Sequence, residues 1–174
     1  MNTYRYPSVD VPTIAPGHSP LVNRLLHVRG VVDADVFLAP NYEDHLHDPM
    51  LLHDMGKAVE RIKRAMEAHE QIAIFSDYDC DGIPGAVVLH DYFKAIGYEQ
   101  FQNYIPHRHY EGFGLSIEAI DKLNDRDVTL IITIDCGTSD IEAIAYANEK
   151  GIDVIVTDHH VPGDVLPEAY ALVN

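Results

Sequence analysis

The sequence predicts an α/β fold in which a mostly parallel sheet carries helices on both faces. Short apolar segments alternate along the chain with longer segments whose apolar residues recur every three or four positions, the order expected of strands and helices in turn. The strand segments are almost entirely apolar, as is typical of parallel strands buried on both faces. Polar residues follow three of these strands directly, at the edge where such sheets bind ligands.

Composition agrees with a single globular domain. The chain has 174 residues, of which 47% are hydrophobic and 23% charged, which is ordinary for a protein with a real core. The formal net charge of -16 argues against a surface that attracts nucleic acid by charge alone, because that requires clustered Lys and Arg.

The first third of the chain is expected to contribute packing elements. Residues 1–20 hold four prolines and a glycine, too many helix and strand breakers for a regular element, so we expect an extended arm. Short helices are predicted at 21–28 and 33–38. Residues 54–69 place apolar residues at spacings of three and four, with Lys and Arg on the opposite face, which predicts an amphipathic helix.

Strands and helices then alternate to the end of the chain. Residues 71–75 form an apolar strand, and the next helix is expected to open at Pro84 and to end at Gly97. The remaining predicted elements are a strand at 101–105, a helix at 116–124, a strand at 129–134, a helix at about 140–150 capped by Ser139, a strand at 153–157 and the start of a short strand within 170–174.

An acidic segment, DYDCDG at 77–82, follows the first of these strands. Alternate residues of an extended chain point to the same side, so Asp77, Asp79 and Asp81 would converge if the chain stayed extended. Clustered carboxylates repel unless they are solvated or neutralised by cations, and oxygen ligands suit Mg²⁺ and Mn²⁺. The same letters occur in Ca²⁺ loops and in simple solvated turns, so this segment alone leaves the question open.

Two further strands deliver polar side chains to the same edge. Asp135 follows the strand at 129–134, and Asp158, His159 and His160 follow the strand at 153–157. Taken singly, Asp135 suits a helix cap and the two histidines suit a surface loop. Their recurrence at equivalent strand ends favours a carboxylate and imidazole site for two divalent ions, with Asp135 central enough to bridge them.

These motifs resemble those of the DHH phosphoesterase family. DYDCDG (77–82), TIDCG (133–137) and TDHH (157–160) occur in the family's order and spacing. The segments LLHVRGV, DADVFLAP, RHYEGFGLS (108–116) and DHHVPGDVLPEAYALVN resemble more narrowly its RecJ branch of single-strand-specific 5′-to-3′ DNA exonucleases. The likeness covers residues 21–174, which we therefore take as a Rossmann-like DHH domain behind the arm at 1–20.

The resemblance implies a role for each matching residue. Asp79 would bind the first ion and Asp81 the second, Asp135 would bridge the two, His159 would join the second ion, and Asp77 would be a ligand or a partner of one. His160 would face the scissile phosphate, and Asp158 would orient the histidines. Substrate contacts are expected from Arg108, Glu111 and Gly112, with Arg108 on a phosphate or, alternatively, in a salt bridge to Glu111. Tyr110 and Phe113 would stack on bases or simply pack.

The implied activity is hydrolysis of single-stranded DNA, with two Mn²⁺ or Mg²⁺ ions activating water. Other DNA-processing proteins are expected partners, and no membrane contact is expected. Asn174 precedes the region that supplies a last aspartate ligand and the DHH-associated domain in the family, so the isolated chain is expected to be weakly active or inactive. Two alternatives stay open: a DHH hydrolase acting on oligonucleotides, cyclic dinucleotides or pyrophosphate, and a non-catalytic scaffold.

The two cysteines, Cys80 and Cys136, lack zinc-site spacing. We interpret them as reduced thiols of a cytoplasmic protein, although the sequence alone leaves a disulfide between them possible.

Overall fold

A computed structural model describes residues 12–174 of the chain. These described residues fall into two compact units, one that ends at Asp48 and one that spans Pro49–Asn174. Within residues 12–174, no helix combines the length and the apolar character that crossing a bilayer would require. The predicted arm at 1–20 lies mostly outside the described residues, and the proposed boundary at residue 20 stays a prediction.

The first unit contains three short helices, each begun by a side-chain cap. They are α1 (Pro20–Val28), α2 (Ala34–Leu38) and α3 (Tyr42–His45), with Ser19, Asp33 and Asn41 as N-caps. The buried Asn23 accepts N–H bonds from Ile14 and Ala15 at 2.9 and 2.8 Å. These bonds hold the segment before α1 against that helix, over a small core of Ala15, Leu26 and Ala34.

The second unit contains the sheet and its helices. After a 3-10 turn at Pro49–Leu51, its elements are α4 (Met55–Glu67), β1 (Gln71–Ser76), α5 (Gly82–Ala95), β2 (Phe101–Tyr104), α6 (Ile117–Asn124), β3 (Val128–Ile134), α7 (Ile141–Glu149), β4 (Asp153–Thr157) and β5 (Ala171–Val173). All strand pairs are parallel, in the order β2-β1-β3-β4-β5. The predicted α/β class is confirmed.

Two helix starts differ from prediction. Helix α5 begins at Gly82, two residues before Pro84, because the turn ahead of it is tight enough for helical geometry to start at once. Helix α7 has Asp140, not Ser139, at its N-cap position. The Asp140 side chain does not cap the helix, because it instead accepts a hydrogen bond from the Leu115 N–H at 2.6 Å.

Each face of the sheet carries its own apolar core. Alternate strand residues point to opposite faces, so Ile72 and Ile74 pack in the cluster that includes α4 and α5, while Ala73 and Phe75 pack in the cluster that includes α6 and α7. Burial on both faces explains why the strands read as continuous apolar runs.

Backbone pairing continues one residue beyond three of the strands. The Asp77 N–H donates to Ile134 O at 3.1 Å, the Asp135 N–H to Thr157 O at 2.9 Å, and the Asp158 N–H to Val173 O at 3.0 Å. These bonds bring the first residue after β1, β3 and β4 to the same edge of the sheet. Three aspartates are thereby placed side by side by main-chain hydrogen bonds.

A candidate metal centre at the carboxyl edge of the sheet

The acidic segment after β1 forms a turn, so the chain does not stay extended there and the condition stated for convergence of all three aspartates is not met. The Asp79 carboxylate accepts N–H bonds from Asp81 at 2.8 Å and Gly82 at 3.1 Å, which bends the chain directly into α5. A Cβ on residue 82 would lie 2.5 Å from the Asp77 carbonyl oxygen. Any residue other than glycine would therefore clash with the backbone in this turn. Asp77 and Asp79 nevertheless lie close together, while Asp81 stands at the N-cap position of α5.

Asp77, Asp79 and Asp135 form one carboxylate cluster. One oxygen from each lies within 4.8 Å of the others. Asp77 and Asp135 are 3% and 7% exposed, whereas Asp79 is exposed. One carboxylate oxygen of Asp77 and one of Asp135, both Oδ1, are buried without a hydrogen-bond partner. Buried carboxylate oxygens are normally hydrogen-bonded or bound to a cation, so this cluster has the character of a cation site.

The surroundings shift the pKa values of two of these carboxyl groups in opposite directions. Hydrogen bonds from the N–H groups of Asp81 and Gly82 lower the pKa of Asp79 below its ordinary value. Burial, followed by the charge of nearby Asp79, raises the pKa of Asp135. Asp135 also has φ of 62°, a left-handed conformation that aspartate tolerates better than most residues. A bound cation would relieve both the burial cost and the repulsion.

The two histidines stand next to this cluster. Asp135, His159 and His160 form a second group of potential ligands within 4.8 Å, and His159 Nε2 lies 2.9 Å from Asp135 Oδ1. The two atoms are close but do not form a hydrogen bond, and Asp135 Oδ1 has no hydrogen-bond partner. Asp135 thus belongs to both groups.

Asp158 holds His160 in place. Its Oδ1 lies 2.7 Å from His160 Nδ1, and its Oδ2 accepts the Thr138 N–H at 3.0 Å. Burial alone would raise the pKa of Asp158, but the bonds from Thr138 and His160 outweigh it and lower that pKa to about 2. The same hydrogen bond to Asp158 raises the pKa of His160.

Three residues near the histidines were not singled out by sequence reasoning as parts of this arrangement. Asn174 Nδ2 donates to Thr138 Oγ1 at 2.8 Å and to the His160 carbonyl at 2.9 Å. The ring of Phe113 contacts that of His160 edge-on, with centroids 5.9 Å apart. Thr138 had a sequence signal, because it follows the strand end at Asp135 by three residues, whereas the contacts of Asn174 and Phe113 depend on tertiary structure.

The predicted substrate-binding residues lie on the loop after β2, and the alternative salt bridge between Arg108 and Glu111 does not form. Arg108 instead lies over the ring of Tyr78, with its guanidinium carbon 4.7 Å from the ring centre. Glu111 pairs with Lys122 Nζ at 2.9 Å. Gly112 has φ of 80°, which favours glycine at this turn.

The residues present fit divalent cations. Carboxylate oxygens and imidazole nitrogens are the donors that Mn²⁺ and Mg²⁺ sites use. A cavity of about 350 Å³ opens here, lined by Asp81, Asp135, Thr157, Asp158 and His159. Asp81 lines this cavity but, within residues 12–174, belongs to neither ligand group. The roles of all these residues as ligands stay predictions.

Neither cysteine takes part in the cluster. Both are free thiols, Cys80 exposed and Cys136 buried, so the two are not joined to each other. Burial, reinforced by the charge of Asp140, raises the pKa of Cys136, which keeps that thiol protonated and unreactive.

Comparison with curated proteins identifies relatives over most of the chain. It is 39% identical over 160 residues to the single-stranded-DNA-specific exonuclease RecJ of Bacillus subtilis, covering 90% of this chain and 20% of that protein. It is 35% identical over 167 residues to the protein of the same name from Escherichia coli, covering 96% of this chain and 28% of that protein. The chain therefore spans between a fifth and three tenths of the length of these relatives.

Solved structures agree with this likeness. A crystal structure of exonuclease RecJ bound to manganese matches with a TM-score of 0.66 and 30% identity, over 74% of this chain and 32% of that one. A structure of RecJ in complex with Mn²⁺ from Thermus thermophilus matches with a TM-score of 0.64 over 87% of this chain and 20% of that one, and at 24% identity it supports the fold alone.

The predicted resemblance to the DHH phosphoesterases and their RecJ branch is thereby confirmed. The model of the DHH family, N-terminal domain, matches residues 71–174, which contain the acidic turn, the aspartate after β3 and the Asp-His-His triplet. With the fold, the strand-end cluster and these matches in agreement, the chain belongs to the DHH family.

Proposed function

We propose that this chain is the catalytic domain of a metal-dependent phosphodiester hydrolase that acts on single-stranded DNA from the 5′ end, as a RecJ-type exonuclease. The observation that carries the proposal is the cluster of Asp77, Asp79 and Asp135 beside two histidines. One buried oxygen of Asp77 and one of Asp135 have no hydrogen-bond partner. The manganese in the similar RecJ structures and the names of the curated relatives support the same reading.

Asp79, Asp81, Asp135 and His159 would hold two Mn²⁺ or Mg²⁺ ions, with Asp77 as a further ligand or a partner of one. When bound, such ions activate water and stabilise charge on the oxygens of an in-line displacement. Asp135 is suited to the bridging role because it belongs to both potential ligand groups.

His160 would face the scissile phosphate. Its Nδ1 donates its proton to Asp158 Oδ1, which fixes the ring orientation and leaves Nε2 as the free ring nitrogen. The hydrogen bond to Asp158 also raises the pKa of His160, and Nε2 would be the ring nitrogen that meets a phosphate oxygen. Asp158 would act through His160 by holding this orientation.

Arg108 would contact a phosphate of the DNA, because a guanidinium binds phosphate oxygens in a bidentate manner. Glu111 and Gly112 would contribute by shaping the loop that presents Arg108. With a net charge of -16, the domain is expected to depend on such specific contacts and on bound cations for DNA affinity. Other DNA-processing proteins are proposed partners, and the free thiols support a cytoplasmic location.

Calorimetric titration of the 174-residue chain with MnCl₂ tests the metal site. We expect saturable binding in wild type and its loss in Asp135→Asn, with Asp91→Asn as a control that neutralises an exposed carboxylate on α5. Wild type that takes up no Mn²⁺ would contradict the proposal and would instead fit a non-catalytic scaffold.

Hydrolysis is tested with the same Mn²⁺-loaded chain on end-labelled single-stranded DNA, with duplex DNA, short oligonucleotides, a cyclic dinucleotide and pyrophosphate as competing substrates. We expect slow, Mn²⁺-dependent release of nucleotides from the 5′ end of single strands and none from Asp135→Asn. Preferential cleavage of pyrophosphate or of the cyclic dinucleotide would place the chain with a different class of DHH hydrolase.

A further inference from the structure

We propose that Tyr78 is a positioning residue that holds Arg108 against the acidic turn while leaving the guanidinium edges free to bind phosphate. The inference rests on the proposed function and deepens it, by assigning a task to a residue between two of the site aspartates. It stands on the contact between Tyr78 and Arg108 and on the bonds that fix the loop carrying Arg108.

Tyr78 belongs to the acidic turn itself. It lies between Asp77 and Asp79, which are both members of the carboxylate cluster, and its side chain is half-buried. The ring is therefore tied by the backbone to the proposed metal site. Any group held on that ring is held at a fixed place relative to the cluster.

Arg108 lies over this ring and not in an ion pair. Its guanidinium carbon is 4.7 Å from the ring centre, inside the range of about 6 Å over which a cation is attracted to an aromatic face. Within residues 12–174, the structure gives Arg108 no carboxylate partner among its ion pairs. The ring of Tyr78 is thus the contact that restrains the guanidinium.

The carboxylate closest in sequence to Arg108 is occupied elsewhere. Glu111 accepts the His107 N–H at 2.7 Å, Lys122 Nζ at 2.9 Å and the Tyr104 hydroxyl. The N–H of His107 is the largest of the causes that lower the pKa of Glu111 to about 2. Glu111 thus stays ionised and fixes the loop on either side of Arg108 without taking up its charge.

The far end of the loop is tied down as well. Leu115 N–H donates to the Asp140 carboxylate at 2.6 Å, and a Cβ on Gly114 would lie 2.6 Å from the oxygens of that carboxylate. Near the other end, Tyr104 stacks on Phe75 of β1, with centroids 5.4 Å apart. The loop that presents Arg108 is therefore anchored to β1, β2, α6 and α7.

Stacking and hydrogen bonding use different parts of a guanidinium. A ring contacts its flat face, while its five N–H donors lie in the plane and point outward from the edges. A carboxylate partner would occupy two of those donors and neutralise the charge. Tyr78 instead restrains the group and leaves both its charge and its donors for a phosphodiester.

The test compares Tyr78→Leu, Tyr78→Phe and Arg108→Met in the full 174-residue chain, loaded with Mn²⁺ and titrated with an oligothymidylate. Tyr78→Leu removes the aromatic face, and we expect about fivefold weaker binding of the oligonucleotide, with Mn²⁺ affinity within about twofold of wild type. Tyr78→Phe keeps the face and should bind as wild type does. The double variant Tyr78→Leu/Arg108→Met should be no weaker than Arg108→Met alone, because both changes remove the same contact.

An NMR measurement on the metal-free chain checks the contact independently. The δ-protons of Arg108 should show an upfield ring-current shift in wild type and Tyr78→Phe that is lost in Tyr78→Leu. If wild type takes up Mn²⁺ but Tyr78→Leu binds the oligonucleotide equally well, or if the two substitutions act additively, the inference fails and the proposed function stands. If wild type takes up no Mn²⁺, the proposed function fails and the inference falls with it.

Discussion

The carboxylates at the two ends of the sheet have different partners. At the amino ends of the strands, Arg61 is 4% exposed and bonds Glu70 at 2.7 Å and Asp153 at 2.5 Å. At the carboxyl ends, Asp77, Asp79 and Asp135 cluster, and no Lys or Arg within residues 12–174 forms an ion pair with them. The carboxylates at the amino end thus share a guanidinium partner, whereas those at the carboxyl end have only the two histidines beside them.

The pKa directions show the same contrast. Burial acts to raise the pKa of Glu70, but hydrogen bonds from Arg61 and Thr129 outweigh it, so the net shift is downward. Burial also raises the pKa of Asp135, and there nearby Asp79 adds to the effect instead of cancelling it. The difference teaches that the counter-charge, more than burial itself, separates a structural carboxylate from one suited to bind metal.

Removing the guanidinium of Arg61 at the amino end of the sheet should lower the free energy of unfolding more than any other change proposed here. Arg61→Met leaves Glu70 and Asp153 without their shared partner, so we expect the free energy of unfolding to fall by about 3–5 kcal/mol. Urea denaturation followed by circular dichroism measures it. A loss below about 1 kcal/mol would show that the two ends are not distinguished by internal pairing.

Removing a carboxylate at the other end should leave folding intact and abolish metal binding. Asp135→Asn keeps the side-chain shape and suits the left-handed backbone, so the metal-free variant should be at least as stable as wild type. We expect Mn²⁺ affinity to fall at least about 100-fold, equivalent to about 2.7 kcal/mol. Thermal unfolding with and without MnCl₂ checks both points, because only wild type should gain stability from the metal. A strongly destabilised metal-free variant would break the comparison.

The pH dependence of stability tests the comparison between the two ends of the sheet further. Since the pKa of Glu70 is lowered in the folded state, its stabilisation is fully present above the unfolded value of about 4.3 and is lost as pH falls through the folded value. Glu70→Gln should therefore be less stable than wild type by about 1–2 kcal/mol at pH 7, with the gap closing on acidification. Urea midpoints measured between pH 7 and pH 3 test this. A gap that widens in acid would contradict the assigned pKa direction.

Disrupting an exposed ion pair should change the free energy of unfolding least, and it serves as the control for Arg61→Met. Lys63 lies 3.4 Å from Glu60, with side chains 58% and 76% exposed. Lys63→Ala should change the free energy of unfolding by no more than about 0.5 kcal/mol, since solvent screens such pairs. A loss approaching that of Arg61→Met would mean that burial is not what makes the Arg61 pairs important.

Much of this arrangement was readable from the sequence because it depends on local patterns. The apolar run ending at Ser76, and those ending at Ile134 and Thr157, predicted parallel strands and therefore a common edge for the residues that follow. That rule placed Asp135 at the same edge as the acidic segment, whereas the convergence of Asp77 and Asp79 was argued from an extended chain that the structure does not have.

Other features depended on contacts that the sequence does not encode locally. Asp81 lies outside the cluster because its N–H donates a hydrogen bond to the Asp79 carboxylate, which turns the chain. The sequence alone does not decide between this turn and an extended segment. The pairing of Arg61 joins α4, the residue before β1 and the start of β4. The contact between Arg108 and Tyr78 spans thirty positions and required the tertiary fold.

The main-chain bonds that extend the sheet past β1, β3 and β4 mean that the separation of the site aspartates is inherited from the strand repeat of about 4.8 Å. A substitution in the helices or loops around the sheet should therefore leave that separation unchanged.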